Sequence, residues 1–260
     1  MTMEESGEVL LDKANGLAVI TLSRPNKRNA LSPTMRASLG ECLADVGKDE
    51  AVKVLLLRGD GPAFCAGADI VDAPQSPLAW RERIRMAQAH HIAIVRMNKP
   101  VIAAVQGAAT GGGASLALAA DILVMADDAK LSFPFVRLGL VPDGGASALL
   151  QAKTNAATAL DLLLTGGSIT AVDAQHLGLT RRVVPAEQLD AASRALASDL
   201  LNLPWEALML TKALCAQHWA AGLEPVLAHE AEAFALASST AGHQSALAAM
   251  LLKLNQKGKS

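Results

Sequence analysis

A single carboxylate, that of Asp143, lies in the mostly apolar run FPFVRLGLVPDGGASALL at 133–150, directly after a proline and before two glycines. Aspartate is common in such turns because its side chain can accept hydrogen bonds from the backbone amides that follow. The same carboxylate could instead serve as a general base held against a substrate. This run alone supports both interpretations, a turn-capping residue and a catalytic base.

Two glycine-containing loops each follow a predicted strand. The first is FCAGAD at 64–69, and the second is GAATGGGASLALAAD at 107–121, in which Gly111, Gly112 and Gly113 open an apolar helix. Glycine lets a backbone bend sharply and lets a ligand approach closely, and the first amides of a helix favour a negative charge. These loops predict either an anion site, for phosphate or a developing oxyanion, or tight packing. The spacing matches neither a Walker A motif nor a dinucleotide-binding motif.

The cysteines and histidines show no metal-binding or disulfide spacing. Cys42, Cys65 and Cys215 are far apart and odd in number, which predicts a reducing, cytoplasmic location. Cys65 lies in the first glycine loop, but no general base is beside it in sequence, so a packed thiol is favoured over a nucleophile. Neighbouring His90 and His91 point to different faces of a helix and are predicted to be structural. We therefore predict that the chain binds no metal.

Composition argues against several classes of partner. The chain has 260 residues, of which 51% are apolar and 18% charged, with a formal net charge of −2. The absence of a basic stripe argues against nucleic-acid binding. The acidic N-terminal stretch MTMEESGEVLLDK lacks the apolar segment of a signal peptide, and no run is long and apolar enough to predict a membrane span. The expected protein is globular, with a large buried core.

Alternating strands and helices are predicted before the C-terminal region. Ser32 as N-cap and Pro33 at the first helical position predict a helix that begins there. Apolar residues at three- and four-residue spacing predict a second helix at 79–97. Strands that alternate with helices and are continuous apolar runs indicate an α/β fold with a buried sheet. The predicted strands lie at 17–25, 52–61, 99–107, 122–127 and 130–133.

The strand pattern stops after about residue 187, and an all-helical region follows. The segment EQLDAASRALASDLLNL carries three leucines on one helical face, and further helices continue to the C-terminus with breaks predicted at Gly222 and Gly242. This region is apolar on more than one face, and a helix of that kind needs packing partners on several sides. We therefore divide the chain into a core at 1–190 and a helical oligomerisation region at 191–260.

The chain resembles the crotonase, or enoyl-CoA hydratase/isomerase, family in four separated segments: RPNKRNALS (24–32), FCAGADI (64–70), KPVIAAVQGAATGGGASLALAADI (99–122) and FPFVRLGLVPDGGAS (133–147). A fifth segment, ITAVDAQHLGLTRRVVP (169–185), also resembles that family, so the resemblance covers nearly the whole chain in order. It implies a crotonase-like spiral of β-β-α units with a C-terminal helical trimerisation region. It also implies an acyl-CoA substrate, no cofactor apart from the coenzyme A of that substrate, and a homotrimer or a dimer of trimers.

The resemblance also implies how the glycine loops and Asp143 act. The backbone amides of Ala68 and Gly112 would form an oxyanion hole for the thioester oxygen. Hydratases of the family have two glutamates, and this chain has Ser115 and Phe135 at those positions. Asp143 matches the single acid of the Δ3,Δ2-enoyl-CoA isomerase branch in the context LGLVPDG. The expected activity is enoyl-CoA isomerisation with Asp143 as base; a hydratase with unusual site residues and a non-catalytic acyl-CoA-binding protein stay open.

Contacts with the substrate are implied for residues in and beside these motifs. Arg24, Lys27 and Arg28 are candidates for the phosphates of coenzyme A, with solvent-exposed cations as the alternative. Arg137 could lie near the acyl pocket or pair with an acid. The other residues expected to contact the substrate are Ala30, Ala66, Asp69, Ile70, Gly111, Gly113, Ser115 and Phe135.

Overall fold

Two β-sheets form the framework of the computed structural model, which describes residues 7–220 and 222–257. Within those ranges the larger sheet contains six strands, in the spatial order β1 (Glu8–Ala14), β2 (Leu17–Ser23), β3 (Val54–Gly59), β4 (Val101–Val105), β6 (Ile122–Ala126) and β9 (Val183–Val184). The smaller sheet contains, again in spatial order, β5 (Ala108–Thr110), β7 (Lys130–Ser132) and β8 (Ser168–Thr170).

Helices pack on these sheets and make up the C-terminal part of the chain. Three long or site-forming helices precede residue 120: α1 (Pro33–Lys48), α2 (Pro77–Arg96) and α3 (Gly112–Ala119). The helices that follow are α4 (Ala146–Lys153), α5 (Ala156–Thr165), α6 (Ala171–His176), α7 (Leu189–Leu201), α8 (Trp205–Ala220), α9 (Leu223–Ser238) and α10 (Ala241–Lys257).

The larger sheet is parallel except at its edge, where β1 pairs antiparallel with β2. Parallel strands that are covered on both faces consist of continuous apolar residues, and Leu55, Leu56 and Leu57 of β3 are all fully buried. The predicted α/β class and the five predicted strands are confirmed, with ends that differ by a few residues. The sequence analysis did not identify β1, β5, β8 or β9.

Local capping explains where the first two long helices begin. Ser32 Oγ accepts a hydrogen bond from Met35 N at 3.2 Å, and Pro33 occupies the first turn of α1, as predicted. Ser76 Oγ accepts one from Ala79 N at 3.2 Å in the same way. The helix predicted at 79–97 therefore begins two residues earlier, at the proline that follows this cap.

The glycine trio lies where the two sheets meet. The chain leaves the larger sheet at the end of β4, enters the smaller sheet as β5, and turns into α3 immediately after Thr110. Gly111 makes this turn with a φ of +55°, a conformation that L side chains rarely adopt. Its amide donates to Ser132 O of β7 at 2.9 Å. The start of α3 is thus fixed against the smaller sheet.

The C-terminal helices pack on the core as well as on each other. Helix α7 contacts β3, β4 and β6, and α9 lies along α2. Gly222 precedes α9, which confirms the first predicted break. The second predicted break, at Gly242, is wrong because α10 already begins at Ala241. Thr240 supplies the cap there, since its Oγ1 accepts from His243 N at 3.2 Å.

Large apolar side chains remain exposed on helices α5, α6, α8, α9 and α10 of the single chain. Seven of them, at 55–71% exposure among the described side chains, are Leu160, Leu164, Val172, Leu210, Leu214, Leu236 and Leu252. Yet none of the described helices is both long enough and apolar enough to span a bilayer. These helices therefore present apolar faces that the chain itself does not cover.

Candidate active site

The two glycine loops approach each other so closely that only glycine fits at the contact. A β-carbon on Gly67 would lie 2.6 Å from Thr110 O and 3.3 Å from Gly112 N. A β-carbon on Gly113 would lie 2.2 Å from Cys65 O. Both distances to carbonyl oxygens are shorter than any real contact, so the backbone of one loop packs directly on that of the other. This packing brings the amides of both loops to one place.

Two backbone amides at this place are left without an acceptor. Leu31 N donates to Gly67 O at 2.8 Å, and Asp69 N donates to Leu31 O at 3.2 Å. In this alternating pattern the amide of Ala68, which lies between Gly67 and Asp69, makes no hydrogen bond with Leu31. Gly112 is the first residue of α3, and the first amides of a helix have no internal acceptor. Neither amide has a hydrogen bond among the described residues, so both are available to a ligand oxygen.

The carboxylate of Asp143 lies beside Gly112, the residue that carries the second of these amides. A β-carbon on Gly112 would lie 3.5 Å from Asp143 Oδ1 and 3.9 Å from Oδ2. Oδ1 is buried and has no hydrogen-bond partner within the described part of the chain. The turn amides that an aspartate at this position would cap, those of Gly145 and Ser147, donate to Glu230 instead. The described hydrogen bonds therefore favour the catalytic-base interpretation over turn capping.

Burial and a neighbouring negative charge make Asp143 a weak acid. Loss of solvent is the larger cause and the Glu230 carboxylate the second, and together they raise the pKa of Asp143 to about 7. The guanidinium of Arg83 acts in the opposite direction but does not outweigh them. A carboxyl group with such a pKa can both accept and release a proton near neutral pH.

The positions of the two family glutamates hold side chains that cannot act as bases. Ser115 is fully buried, and its Oγ lies 3.2 Å from Gly111 O and 2.9 Å from Asp143 O. The hydroxyl thus links the start of α3 to the turn that carries Asp143. Phe135 is also buried, and its ring lies 3.7 Å from where a β-carbon on Gly111 would be. Both residues shape the site without supplying a carboxylate.

Arg83 of α2, which the sequence analysis missed, holds the loop that follows Ala68. Its guanidinium donates to Asp69 O at 2.8 Å and to Asp72 O. The side chain is 8% exposed, and burial lowers its pKa to about 10, which leaves it charged at neutral pH. Arg83 therefore fixes the backbone next to the amide of Ala68 and places a positive charge near Asp143.

The segment that begins at Arg24 runs alongside the first glycine loop. Ala66 N donates to Arg28 O at 2.9 Å, which brings Ala30 and the loop together. The buried Arg24 side chain donates to Asp69 at 2.7 Å and to Ala30 O at 3.1 Å. Although burial opposes it, this ion pair holds the pKa of Asp69 below its ordinary value. Arg24 and Asp69 thus brace the loop against the segment.

The remaining predicted contacts of this segment differ in exposure. Lys27 and Arg28 are exposed on the same short stretch, whereas Arg24 is buried. Ile70 is half-buried at the start of a 3₁₀ turn that continues from the loop. Lys27 and Arg28 are therefore placed to reach a phosphate from the surface, and their contact with coenzyme A stays a prediction.

Other reactive side chains near the site are packed. Cys65 is fully buried, burial raises the pKa of its thiol to about 12, and Sγ lies 3.3 Å from Asn29 O. Burial lowers the pKa of His90 and of His91 to about 4, and both stay neutral. Arg137 approaches Thr165 O at 3.4 Å, at the end of α5. In the described ranges, no three His, Cys, Asp or Glu side chains are grouped to hold a metal ion.

The sequence and the fold of the chain match one family of known proteins. The enoyl-CoA hydratase/isomerase family model matches residues 12–257. A 1,2-epoxyphenylacetyl-CoA isomerase of Escherichia coli is 34% identical over 250 residues, which cover 94% of this chain and 95% of the relative. A crotonyl-CoA hydratase of Syntrophomonas wolfei is 33% identical over 247 residues, with the same coverage. A solved enoyl-CoA hydratase/isomerase from Mycobacterium paratuberculosis has a TM-score of 0.87 at 28% identity and covers 93% of this chain and 97% of its own.

The chain therefore belongs to the enoyl-CoA hydratase/isomerase family, within the crotonase superfamily. It is an acyl-CoA-metabolising enzyme of that family, with the crotonase fold and a C-terminal helical region. The resemblance found in its sequence motifs is confirmed over almost the full chain. Its relatives include both isomerases and hydratases, so the choice between these reactions depends on the side chains of the site.

Proposed function

We propose that this enzyme isomerises the double bond of enoyl-CoA thioesters, moving it from the 3 to the 2 position, with Asp143 as the only proton carrier. The observation that carries the proposal is the placement of one buried carboxylate beside Gly112, the first residue of α3. A 1,3-proton shift needs a single base, whereas hydration needs one group to activate water and another to manage the second proton.

In the proposed reaction the thioester oxygen accepts hydrogen bonds from Ala68 N and Gly112 N. Asp143 removes a proton from the α-carbon, and the electron pair moves into the conjugated system to form a dienolate whose negative oxygen stays on the two amides. One such donor contributes about 2.7–4 kcal/mol to transition-state stabilisation. The protonated Asp143 then returns its proton to the γ-carbon, the new double bond forms between C2 and C3, and the carboxylate is regenerated.

The alternative reaction, hydration of a 2-enoyl-CoA, needs a second acid beside Asp143. The two positions that hold glutamates in hydratases of the family supply none here, because they are Ser115 and Phe135. Glu230 is a carboxylate nearby, but it already accepts hydrogen bonds from Gly145 N at 2.8 Å and from Ser147 Oγ at 2.6 Å. It is therefore engaged in holding the turn. The E. coli relative is named an isomerase, which is consistent with the proposed reaction. The S. wolfei relative is named a hydratase, so hydration stays the alternative.

The proposal is tested by offering the enzyme 3-enoyl-CoA and 2-enoyl-CoA substrates of matched chain length, with no added metal or cofactor. We expect 3-enoyl-CoA to be converted to the conjugated 2-enoyl isomer, which is followed by its absorbance, and 2-enoyl-CoA to stay unhydrated. Hydration of 2-enoyl-CoA without isomerisation would support the hydratase. Binding of both thioesters without turnover would support an acyl-CoA-binding protein.

Isomerisation should depend on pH through the base form of Asp143. Because its pKa is raised to about 7, the fraction of free enzyme with an ionised carboxylate grows as the pH rises through that value. We therefore expect kcat/KM to increase about tenfold per pH unit below pH 7 and to level off above it. A profile that is flat from pH 5 to 9 would contradict this assignment of the base.

The exposed apolar helical faces support a homotrimer or a dimer of trimers as the assembly that we propose. Large exposed apolar surfaces usually mark contacts with other chains, and here most of the exposed large apolar side chains lie on the helices after residue 155. We expect light scattering at micromolar concentration to give three or six times the 26.9 kDa chain mass. A monomer would contradict this proposal and leave the catalytic one untouched.

A further inference from the structure

Glu230 is a buried carboxylate whose hydrogen bonds all lead to the turn after Asp143. It projects from α9, is 6% exposed, and accepts from Gly145 N at 2.8 Å, Ser147 N at 3.3 Å and Ser147 Oγ at 2.6 Å. Gly145 is the N-cap of α4, with a φ of +79° and no side chain of its own to cap the helix. Glu230 therefore supplies from a distant helix the acceptor that an N-cap side chain would normally provide.

A second buried carboxylate, that of Asp143, lies near Glu230. In the described part of the chain no salt bridge reaches Glu230, whereas Glu232, two residues on, pairs with Arg81 and Arg85 at 2.9 Å on the surface. Like charges that share a buried region oppose each other's ionisation.

We infer that Glu230 is a positioning residue for the proposed reaction: its carboxylate, hydrogen-bonded two residues beyond Asp143, holds the turn that presents this base to the oxyanion amides and acts on the base as a nearby charge. The inference rests on the proposed function for the role of Asp143. It assigns to the C-terminal helical region a part in forming the active site, since the residue that holds the turn comes from α9.

The other titratable groups around Asp143 either lower its pKa or leave it unchanged. Arg83 of α2 lowers the pKa of Asp143. The carboxyl groups of Asp69 and Asp72, in the loop before α2, favour the charged form of the Arg83 guanidinium. His91 of α2 is neutral because burial lowers its pKa to about 4. Helices α3 and α4 present serines to this turn. The α9 carboxylate is therefore the nearby group that raises the pKa of Asp143 in addition to burial.

Three variants separate charge from position. Glu230→Gln removes the charge and keeps one of the two acceptor oxygens, so it also loses the hydrogen bonds at the other oxygen. Ser147→Ala removes one hydrogen bond and keeps both carboxylates. Glu232→Gln removes a charge from the same helix at the surface and serves as the matched control. Each is compared with wild type by the pH profile of isomerisation and by a carbon-13 titration of labelled aspartate carboxyl groups, with the Asp143 signal assigned by its loss in Asp143→Asn.

For Glu230→Gln we expect both midpoints, that of the rate profile and that of the Asp143 signal, to move down by about one pH unit, because a negative charge near the base is gone. Ser147→Ala should lower kcat by a few-fold without moving either midpoint. Glu232→Gln should change neither. Coupling between the two carboxylates is expected to broaden the wild-type titration, since the two groups share their protons.

An unchanged Asp143 midpoint in folded Glu230→Gln would overturn the inference, even if the rate fell at every pH, because a purely structural role predicts that pattern. An equal shift in Glu232→Gln would also overturn it. If the Asp143 signal shifts as expected but the wild-type enzyme shows no isomerisation, the proposed function fails and the effect of Glu230 on the carboxylate stands. The carbon-13 measurement thus keeps the two failures apart.

Discussion

Asp143→Asn is expected to slow exchange of the α-proton of a bound 3-enoyl-CoA with D₂O by about 10²–10⁴-fold, the usual contribution of a positioned general base. The asparagine has nearly the same shape and cannot accept the proton. Isomerisation should fall by the same factor, because the same carboxyl group returns the proton to the γ-carbon. Binding of the thioester, measured by calorimetry, should stay within a few-fold of wild type, since the oxyanion amides are backbone groups.

The same substitution should stabilise the folded protein at alkaline pH. The pKa of Asp143 is about 7 in the fold against its ordinary value of 3.8, so wild type loses stability relative to the asparagine variant as the pH rises from about 4 to about 7. Above pH 7 the difference in the free energy of unfolding between the asparagine variant and wild type should reach its full value of about 1–4 kcal/mol, and at pH 4 it should vanish. Thermal unfolding at pH 4 and pH 8 measures it.

Asp161→Asn is the matched control, because Asp161 is an exposed aspartate on α5. It should change neither exchange nor the pH dependence of stability. Undiminished deuterium incorporation in Asp143→Asn would show that Asp143 is not the base. A loss of stability at pH 8 would show that the carboxylate contributes to the turn after all, and either outcome would return the site to the hydratase or binding-protein alternatives.

The parts of the site that the sequence predicted depend on a few adjacent residues. The glycine trio at 111–113 needs a backbone turn followed by a helix start, and both leave a clear local pattern. Asp143 lies between a proline and two glycines, a context that marks the turn in which it sits. In each case the position of the group is set by backbone conformation over a short segment, which can be recognised without knowledge of the packing.

Glu230 and Arg83 were missed because their roles come from contacts across the fold. Glu230 is 87 residues beyond Asp143 in sequence and reaches the turn only when α9 packs along α2. One signal was available. Leu223, Leu227 and Phe234 of α9 are buried, and position 230 falls on the same helical face. A glutamate among buried positions needs partners, and that alone marks it for attention.

Arg24 shows the limit of assigning a cation by motif. The segment RPNKRNALS predicted three cations that could contact coenzyme A phosphates, but sequence spacing does not reveal which of them is buried. The structure places Arg24 in an ion pair with Asp69, with Lys27 and Arg28 at the surface. Substituting Arg24 would therefore disturb the loop that carries Ala68, and only the two exposed cations can be tested for phosphate binding without that effect.

Gly112→Pro is expected to lower kcat/KM by about 10²–10³ relative to Gly112→Ala, the loss that follows removal of one oxyanion donor. Proline removes the N–H that would bind the thioester oxygen. Residue 112 is the first residue of α3, where the fixed φ of proline suits a helix start. The added β-carbon would lie 3.5 Å from Asp143 Oδ1, an ordinary contact, so the fold should accept it.

Gly112→Ala is the matched control because it adds the same β-carbon and keeps the amide. Any effect of the β-carbon near Asp143 is common to both variants, so the ratio of their kcat/KM values reports on the N–H together with the closed ring of proline. Gly113→Ala, by contrast, should fail to fold, since its β-carbon would lie 2.2 Å from Cys65 O. If folded Gly112→Pro matched Gly112→Ala in kcat/KM, the amide at 112 would not be an oxyanion donor, and stabilisation of the dienolate would have to come from Ala68 and other groups.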